Sequence, residues 1–337
     1  MRVKYQLIAL LLILAGCREK EGFSPADFPK RSTAEVHFIG GPLEINLPLD
    51  LCIEGNSICV LAYTPDYWLH IYDRISGELL SEAMPSGRGP GEAVNVMSMD
   101  YDYIRKLLYV HDPSLGKSVR FRFDGENGQL HYADEISHPD SGVVRQYHLL
   151  PDERFLYEGY LQGDDRFTRF FLYDDGLSYA KYSEYPGIEK DEDRFCFLLS
   201  GGKSEPVSGK YVSGTLYGAI LECFDLSEGC FKRTGIRLLD PPRMDLANGG
   251  MNKPKGTKWG FSTLCPTKDC IYANYLDNDD ANDFSAISVF GWDGREQARY
   301  ETGNNILRIA SDADDNKALY VVAVSGSQEY LLGRIRL

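Results

Sequence analysis

Apolar and polar residues alternate over many short stretches of this chain, and the alternation has a period of two. Val119-Arg120-Phe121-Arg122-Phe123 is the clearest case. A period of two puts successive side chains on opposite faces of a strand, so such runs predict half-buried β-strands. Two signals recur in phase with them. The first is an apolar run ending in an aromatic residue, then Asp, then Gly shortly after. It occurs at Tyr72-Asp73 to Gly77, Phe123-Asp124 to Gly128, Tyr173-Asp174-Asp175-Gly176, Phe224-Asp225 to Gly229 and Trp292-Asp293-Gly294. Asp bonds its own backbone and Gly takes positive φ, so each marks a tight hairpin. Aspartates 73, 124, 175, 225 and 293 are spaced 51, 51, 50 and 68 residues apart, and the last interval holds a Gly-, Pro-, Asn- and Lys-rich insertion, Pro241 to Lys258. The second signal is a polar turn leading into an apolar strand, as in Lys106-Leu107-Leu108-Tyr109-Val110. Its aromatic slot falls at positions 60, 109, 157, 211, 272 and 320, with Val60 in the first.

These six positions define six units of about fifty residues, each read as four short strands. In the second unit the strands are expected at Val94–Asp100, Lys106–His111, Ser118–Phe123 and Leu130–Ile136. No long amphipathic helix follows the N-terminal segment. Even spacing of short strands with this period predicts an all-β fold, a six-bladed β-propeller of four-stranded antiparallel blades. The bland alternative is a β-sandwich with a second β domain. The sixth unit has room for three strands only, Ile306–Ser311, Ala318–Ala323 and Tyr330–Arg336, before the last residue, Leu337. The strand-like run Glu35–Ile39 precedes the first unit. It is expected to supply the missing outer strand, so that the N-terminal strand pairs with the C-terminal blade and no long edge is left open.

The N-terminus reads differently. Arg2 and Lys4 precede an apolar run from Leu7 to Leu14, followed by Ala15-Gly16-Cys17. The run is too short to span a bilayer, which takes about 20 apolar residues, but it has the layout of a secretory signal. Leu14-Ala15-Gly16-Cys17 is similar to a bacterial lipobox, in which the cysteine thiol is acylated and becomes the first residue. The expected organisation is therefore a lipoprotein signal peptide at 1–16, a lipidated polar tether at 17–33 and a single propeller domain at 34–337. The expected location is the bacterial cell envelope, as an outer-membrane lipoprotein facing either the periplasm or the surface, with the membrane as a partner through lipid on Cys17. Composition adds exclusions. At 43% hydrophobic and 26% charged residues the chain is ordinary globular protein. With 36 Lys and Arg against 50 Asp and Glu its formal charge is −14. That balance opposes nucleic-acid binding and simple electrostatic adhesion to anionic lipid.

Eight cysteines are present. Beyond Cys17, three close pairs bracket expected hairpin turns: Cys52/Cys59, Cys223/Cys230 and Cys265/Cys270, with Cys196 left over. In an exported protein these pairs can be cross-strand disulfides, or they can remain small buried apolar thiols. Their spacings do not match a zinc site, so no metal is expected.

Between the first two units lies Ser86-Gly87-Arg88-Gly89-Pro90-Gly91-Glu92-Ala93. This run, the lipobox and the six units together resemble the TolB-like six-bladed propeller lipoproteins of the Bacteroides group, relatives of NHL-type propellers, over roughly residues 34–337. The resemblance implies an envelope location and the six-bladed fold, and it brings no catalytic residues.

Candidate ligand sites are expected on the face that carries the connections from each fourth strand to the next blade. That face holds Gly87–Glu92, Gly187–Arg194, Pro241–Lys258 and Asp277–Asp283. The backbone of Gly87–Glu92 can cradle an anion with Arg88 as a clamp, or Arg88 and Glu92 can tie blade one to blade two at a structural corner. The run from Asp277 to Asp283 supplies hard oxygens for calcium but lacks the loop's Gly and closing acid, which favours a solvated acidic loop. Asp312 to Asn316 reads as a hairpin turn. His111-Asp112 follows a second strand, where His111 can serve as a general base or simply as structure. Trp259 can stack on a sugar or fill the core. No nucleophile elbow or metal motif is present and no cofactor is expected. The preferred reading is a binding or scaffolding module for a protein, glycan or small ligand. The alternative is a lyase or hydrolase with its site in the central channel.

Overall fold

The computed structural model describes residues 22–140, 142–161, 163, 168–174, 177–205, 207–247, 250–280, 283–312 and 318–337. Two strands precede the repeats, β1 (Arg31–Thr33) and β2 (His37–Pro42). Blade one is β3 (Leu47–Glu54), β4 (Ser57–Tyr63), β5 (Tyr67–Asp73) and β6 (Leu79–Pro85). Blade two is β7 (Ser98–Asp102), β8 (Leu107–Asp112), β9 (Lys117–Asp124) and β10 (Gln129–Ser137). Blade three is β11 (Gly142–Leu149), β12 (Phe155–Leu161), β13 (Phe170–Asp174) and β14 (Leu177–Tyr182). Blade four is β15 (Gly201–Glu205), β16 (Lys210–Gly214), β17 (Ala219–Asp225) and β18 (Lys232–Asp240). Blade five is β19 (Trp259–Pro266), β20 (Ile271–Asn278), β21 (Ala286–Phe290) and β22 (Glu296–Glu301). Blade six is β23 (Asn305–Ser311), β24 (Ala318–Val324) and β25 (Tyr330–Arg336), completed by β2.

The fold is thus the six-bladed propeller the repeat predicts, and β2 closes the ring. His37 pairs with Arg334, and Ile39 with Leu332, antiparallel. Strand limits shift by a few residues. In blade two the inner strand begins at Ser98 rather than Val94, because the backbone N–H groups of Val94 and Asn95 are drawn to the Asp112 carboxylate at 2.7 and 3.1 Å. The tether expected at 17–33 is corrected. Phe28 is buried in the apolar layer between blades four and five, and β1 pairs parallel with β22 as a fifth strand of blade five. Residues from Phe23 onward are a strap on the propeller.

The core is six apolar layers, one between each pair of neighbouring blades. Leu61, Leu69 and Ile71 of blade one meet Met99, Leu108 and Val110 of blade two, and the same pattern runs around to Tyr320 and Val322 of blade six against Ile58 and Val60. Each fully buried branched or aromatic side chain contributes about 1.5–3 kcal/mol.

The repeated Asp and Gly are explained by the turns they build. Asp73 Oδ1 accepts the N–H groups of Ile75 and Ser76, Asp124 Oδ1 those of Glu126 and Asn127, and Asp293 Oδ1 that of Arg295. The glycine that follows packs against the outer strand of the preceding blade. A side chain on Gly77 would lie 2.7 Å from Ile39 O, and one on Gly128 would lie 2.3 Å from Leu80. Both have positive φ, 72° and 62°. Residues 175 and 176, the third copy of this turn, lie outside the described residues.

Carboxylates link inner strands around the channel. Met99 N–H donates to Asp50 Oδ2 at 3.1 Å, and one unit later Leu149 N–H donates to Asp100 Oδ2 at 2.7 Å. Lys203 of blade four, opposite blade one in the ring, reaches across. Its Nζ donates to Asp50 Oδ2 and to Met99 O, and lies 4.0 Å from Asp100 Oδ1. Burial alone would raise the Asp100 pKa. The hydrogen bond to His111 and the Lys203 charge outweigh it and hold the carboxyl down at about 2. Removing one partner of such a network strands the others. Lys203→Met is expected to cost about 3 kcal/mol in urea unfolding. Unchanged stability would show that the cross-channel bridge contributes nothing.

Candidate functional site

The two ends of the ring differ. The loop face carries the connections between blades and the turns from each second to third strand. The opposite, turn face carries the remaining hairpins. The sequence expectation placed ligands on the loop face, and the structure offers a cavity on each.

On the turn face a cavity of 280 Å³ opens between the ends of the inner strands, lined by Cys52, Tyr101, Lys203, Val207, Leu264 and Thr267 among others. The charged groups at its inner end are already paired with one another. Lys203 holds Asp50 and Asp100, and Asp100 is bonded to His111 Nε2 at 3.1 Å. This convergence is internal neutralisation of buried charge.

On the loop face the Gly187–Arg194 and Pro241–Lys258 connections come together. The first continues into a 3-10 helix, Asp191–Leu199. Its Asp193 carboxylate is the staple between the two segments: Oδ2 accepts from Lys190 N–H and Oδ1 from Met244 N–H, both at 3.1 Å. Below the staple, Cys196, Phe197, Ile220, Leu238 and Met244 form a separate buried cluster, with Phe23 of the strap packed on it. Arg169 stiffens this wall. Its guanidinium pairs with buried Glu222 at 2.6 Å and lies 4.2 Å from the Phe197 ring centroid and 4.7 Å from that of Phe170. The result is a cavity of 400 Å³ with walls of Tyr160, Tyr185, Phe195 and Leu246, edged by Glu192 and Arg194. That volume is in the range of small-ligand sites, and the mix of aromatic wall and charged edge is their usual chemistry.

The residues singled out from sequence fall elsewhere. In Gly87–Glu92 the backbone donors are occupied: Gly89 N–H by Glu92 Oε2 at 2.7 Å, and Gly91 N–H by Glu135 Oε1 at 2.8 Å. Lys117 of β9 ties to the same Glu135 at 2.8 Å. The loop is a corner welded to blade two, which corrects the anion-cradle reading. Arg88 is exposed and Glu92 is the corner's internal cap.

His111 is fully buried, not presented on the loop face, and this corrects its candidacy as a general base. It lies in a chain of polar groups. His111 Nδ1 meets Ser118 Oγ at 2.7 Å, Ser118 Oγ meets His138 Nε2 at 2.6 Å, and His138 Nδ1 meets Tyr157 OH at 3.1 Å. Asp100, His111 and Ser118 include the side chains of a hydrolase triad, but His111 and Ser118 are fully buried and Asp100 is already engaged by His111 and Lys203. Burial lowers the pKa of His111 and takes that of His138 down to about 3. Asp112 is also buried and caps backbone N–H groups on either side, at Val94 and Leu115.

Trp259 is half-buried at the loop face. Its Nε1–H donates to Asp279 O at 3.2 Å, its ring meets Tyr217 edge-on at 5.2 Å, and Lys253 Nζ sits 5.6 Å from its centroid. It secures the insertion rather than offering an open platform. In the Asp277–Asp283 loop, Asp277 pairs with Lys258 at 2.7 Å and Asp279 lies 3.9 Å from Lys253. Those carboxylates serve the insertion, and residues 281 and 282 lie outside the described set. Asp312 is buried and pairs with Arg74, while residues 313–316 are likewise outside it.

The described cysteines are free thiols. Of the three sequence pairs only Cys52 and Cys59 are directly opposed across a ladder. Cys223 instead faces Gly235, with Cys230 exposed beyond it, and Cys265 faces Tyr272, offset from Cys270. The hydrogen bond with Cys59 and burial raise the Cys52 thiol pKa well above its ordinary value. Burial pushes Cys223 and Cys196 up to about 12 and Cys265 to about 11. Such thiols are poor nucleophiles. Cys17 precedes the described residues.

The pocket walls Tyr160, Tyr185, Phe195 and Leu246 are not among the sequence-derived candidates. Tyr160 lies in β12 and the others in connections that stand out by length and polarity, but aromatic residues of this chain also fill the core. Asp50 and Asp100 have a clearer signal: two carboxylates one repeat apart on inner strands.

The buried histidines make stability depend on pH. His138 is neutral in the folded state down to about 3, whereas in the unfolded chain it protonates below about 6.5. The unfolded state therefore binds more protons across that window, and stability falls as pH drops through it. In urea unfolding at a series of pH values, His138→Phe is expected to flatten the slope between pH 6.5 and 3 by up to about one proton. An unchanged slope would place the acid sensitivity elsewhere.

The sequence profile of the TolB-like 6-blade propeller-like family matches residues 27–314. Among solved structures, a Bacteroides fragilis NCTC 9343 protein (BF0058), named as an exported protein, superposes with a TM-score of 0.58 at 12% identity, covering 91% of this chain and 98% of the other. Kuenenia stuttgartiensis hydrazine synthase gives a TM-score of 0.46 at 12% identity, covering 88% and 97% of the two chains. No curated protein matches the chain. The six radial blades, the ring closed by β2 and the profile match over most of the length lead to one conclusion: the chain belongs to the TolB-like six-bladed propeller family.

Proposed function

We propose that this protein is a lipid-anchored binding module of the bacterial envelope, and that its ligand seat is the loop-face pocket between blades three and four. The observation that carries the reading is the pocket's construction. Two inter-blade connections, stapled by Asp193, enclose a cavity of 400 Å³ walled by Tyr160, Tyr185 and Phe195. Aromatic faces receive the apolar face of a sugar ring, and Glu192 and Arg194 at the edge suit its hydroxyls. A glycan is therefore the ligand class the walls fit best.

Export and anchoring rest on the sequence, through the signal-like segment and Leu14-Ala15-Gly16-Cys17. The exported Bacteroides structure with the same fold supports export. Among the described residues no helix is long and apolar enough to cross a membrane, and in this reading the link to the bilayer is lipid on Cys17.

Two outcomes check this reading. Cys17→Ser is expected to move the protein from the membrane to the soluble fraction, and continued membrane retention would remove the anchor. On a glycan array the wild-type chain is expected to select particular glycans. Tyr160→Ala should weaken that binding about tenfold, the scale of one lost stacking contact, while Arg88→Ala leaves it unchanged. Equal binding by Tyr160→Ala would move the seat out of this pocket.

A further inference from the structure

We infer that the acylated protein lies with its loop face against the bilayer, so that the ligand pocket opens at headgroup level. The inference rests on lipidation of Cys17 and adds to it an orientation.

Its first ground is the shortness of the link. The chain is fixed to the propeller from Phe23 onward. Ser24 N–H donates to Leu238 O at 3.1 Å, and Arg237 grips Ser24 Oγ at 2.7 Å and Pro25 O at 3.0 Å. Phe23 packs so closely over Gly187 that a side chain on that glycine would lie 2.4 Å from its ring. Only residues 18–22 separate Phe23 from Cys17. Six residues span at most about 20 Å even when fully extended.

The second ground is where the strap leaves the fold. Phe23 packs over Gly187 in the connection after blade three and against the cluster that holds Ile220 at the start of β17, Leu238 near the end of β18 and Met244 in the insertion. The attachment point therefore belongs to the loop face, and it backs the same wall that forms the pocket.

The third ground is what that face exposes. Leu47, Tyr63, Met97, Tyr160, Leu246 and Met251 on the loop face are exposed by 38–50%, while Ile75, Ile104 and Val207 are exposed on the turn face, so the leash selects between the two faces and the rim supplies the contact. The loop-face residues come from four different blades or their connections. An apolar rim with tyrosines among it is the composition that sits at a membrane interface. The formal charge of −14 gives no electrostatic pull toward anionic lipid, so the contact is apolar and independent of anionic headgroups. A short leash at one margin and an apolar rim across the same face act together. A ligand for the pocket is then one presented at the membrane surface.

The test uses the acylated full chain, reconstituted in phosphatidylcholine vesicles that contain a lipid with a headgroup-attached quencher. With Cys230→Ser as background, one fluorophore is placed at Met251→Cys on the loop face and another at Ile104→Cys on the turn face. The loop-face label is expected to be quenched several-fold more, with no change when anionic lipid is added. Equal quenching, or stronger quenching at position 104, would overturn the orientation. Labels at Leu246→Cys and Val207→Cys provide the same contrast should the first pair fail to fold. Vesicle flotation of each sample keeps the two readings apart. Protein that does not float has lost the anchor, whereas protein that floats with an unquenched loop face keeps the anchor and refutes the orientation.

Discussion

A propeller is a ring, and a ring made from one chain has to close. Here the closure is one antiparallel pairing, β2 against β25, between segments separated by nearly the whole sequence. Blade six has only three strands of its own, so its outer edge exists only when the two ends meet. The same pairing anchors the segment that runs from Phe23 to β2. With His37–Pro42 held on blade six, Arg31–Thr33 is drawn onto blade five and Phe23 onto blade four. The strap, the back wall of the pocket and the proposed bearing on the membrane follow from that geometry.

Inside the ring the apolar layers between blades carry the bulk of the stabilisation, and polar groups set register. Asp73, Asp124, Asp225 and Asp293 build the outer hairpins of blades one, two, four and five, and in blades one and two the glycine that follows lets the hairpin sit on the blade before. In the channel, Asp50 and Asp100 bind the next inner strand, and Lys203 crosses to both. The carboxylates there are held by Lys203, and Asp100 also by His111. The convergence that in a cleft would signal catalysis is here a brace, and ligand chemistry moves to the loop face.

Much of the fold was legible from sequence because its devices are local and repeated. Tyr72-Asp73 to Gly77 and Phe123-Asp124 to Gly128 do the same work in each blade, so periodicity alone exposed them. The ring closure was legible by arithmetic, since the last unit lacked a strand and the first had one to spare. The site was not. Tyr160, Tyr185 and Leu246 come from three separate segments, and no local pattern distinguishes a pocket wall from a core aromatic in a chain with 22 tyrosines. His111 and Gly87–Glu92 looked available because a sequence does not show that Asp100, Ser118, Glu92 and Glu135 already satisfy them. The free tether is shorter than its composition suggests, for a similar reason. Residues 22–33 are polar and broken by proline, and only Phe23 and Phe28 mark where they bind.

Hydrogen exchange tests the closure most directly. In a chain starting at Gly22 the amides of β24 and β25 should be as protected as in the full-length protein. In a chain starting after Pro42 they should exchange at the rate of the connecting loops. Equal protection of β25 in both chains would show that blade six does not depend on the N-terminal strand, and would contradict the ring described above.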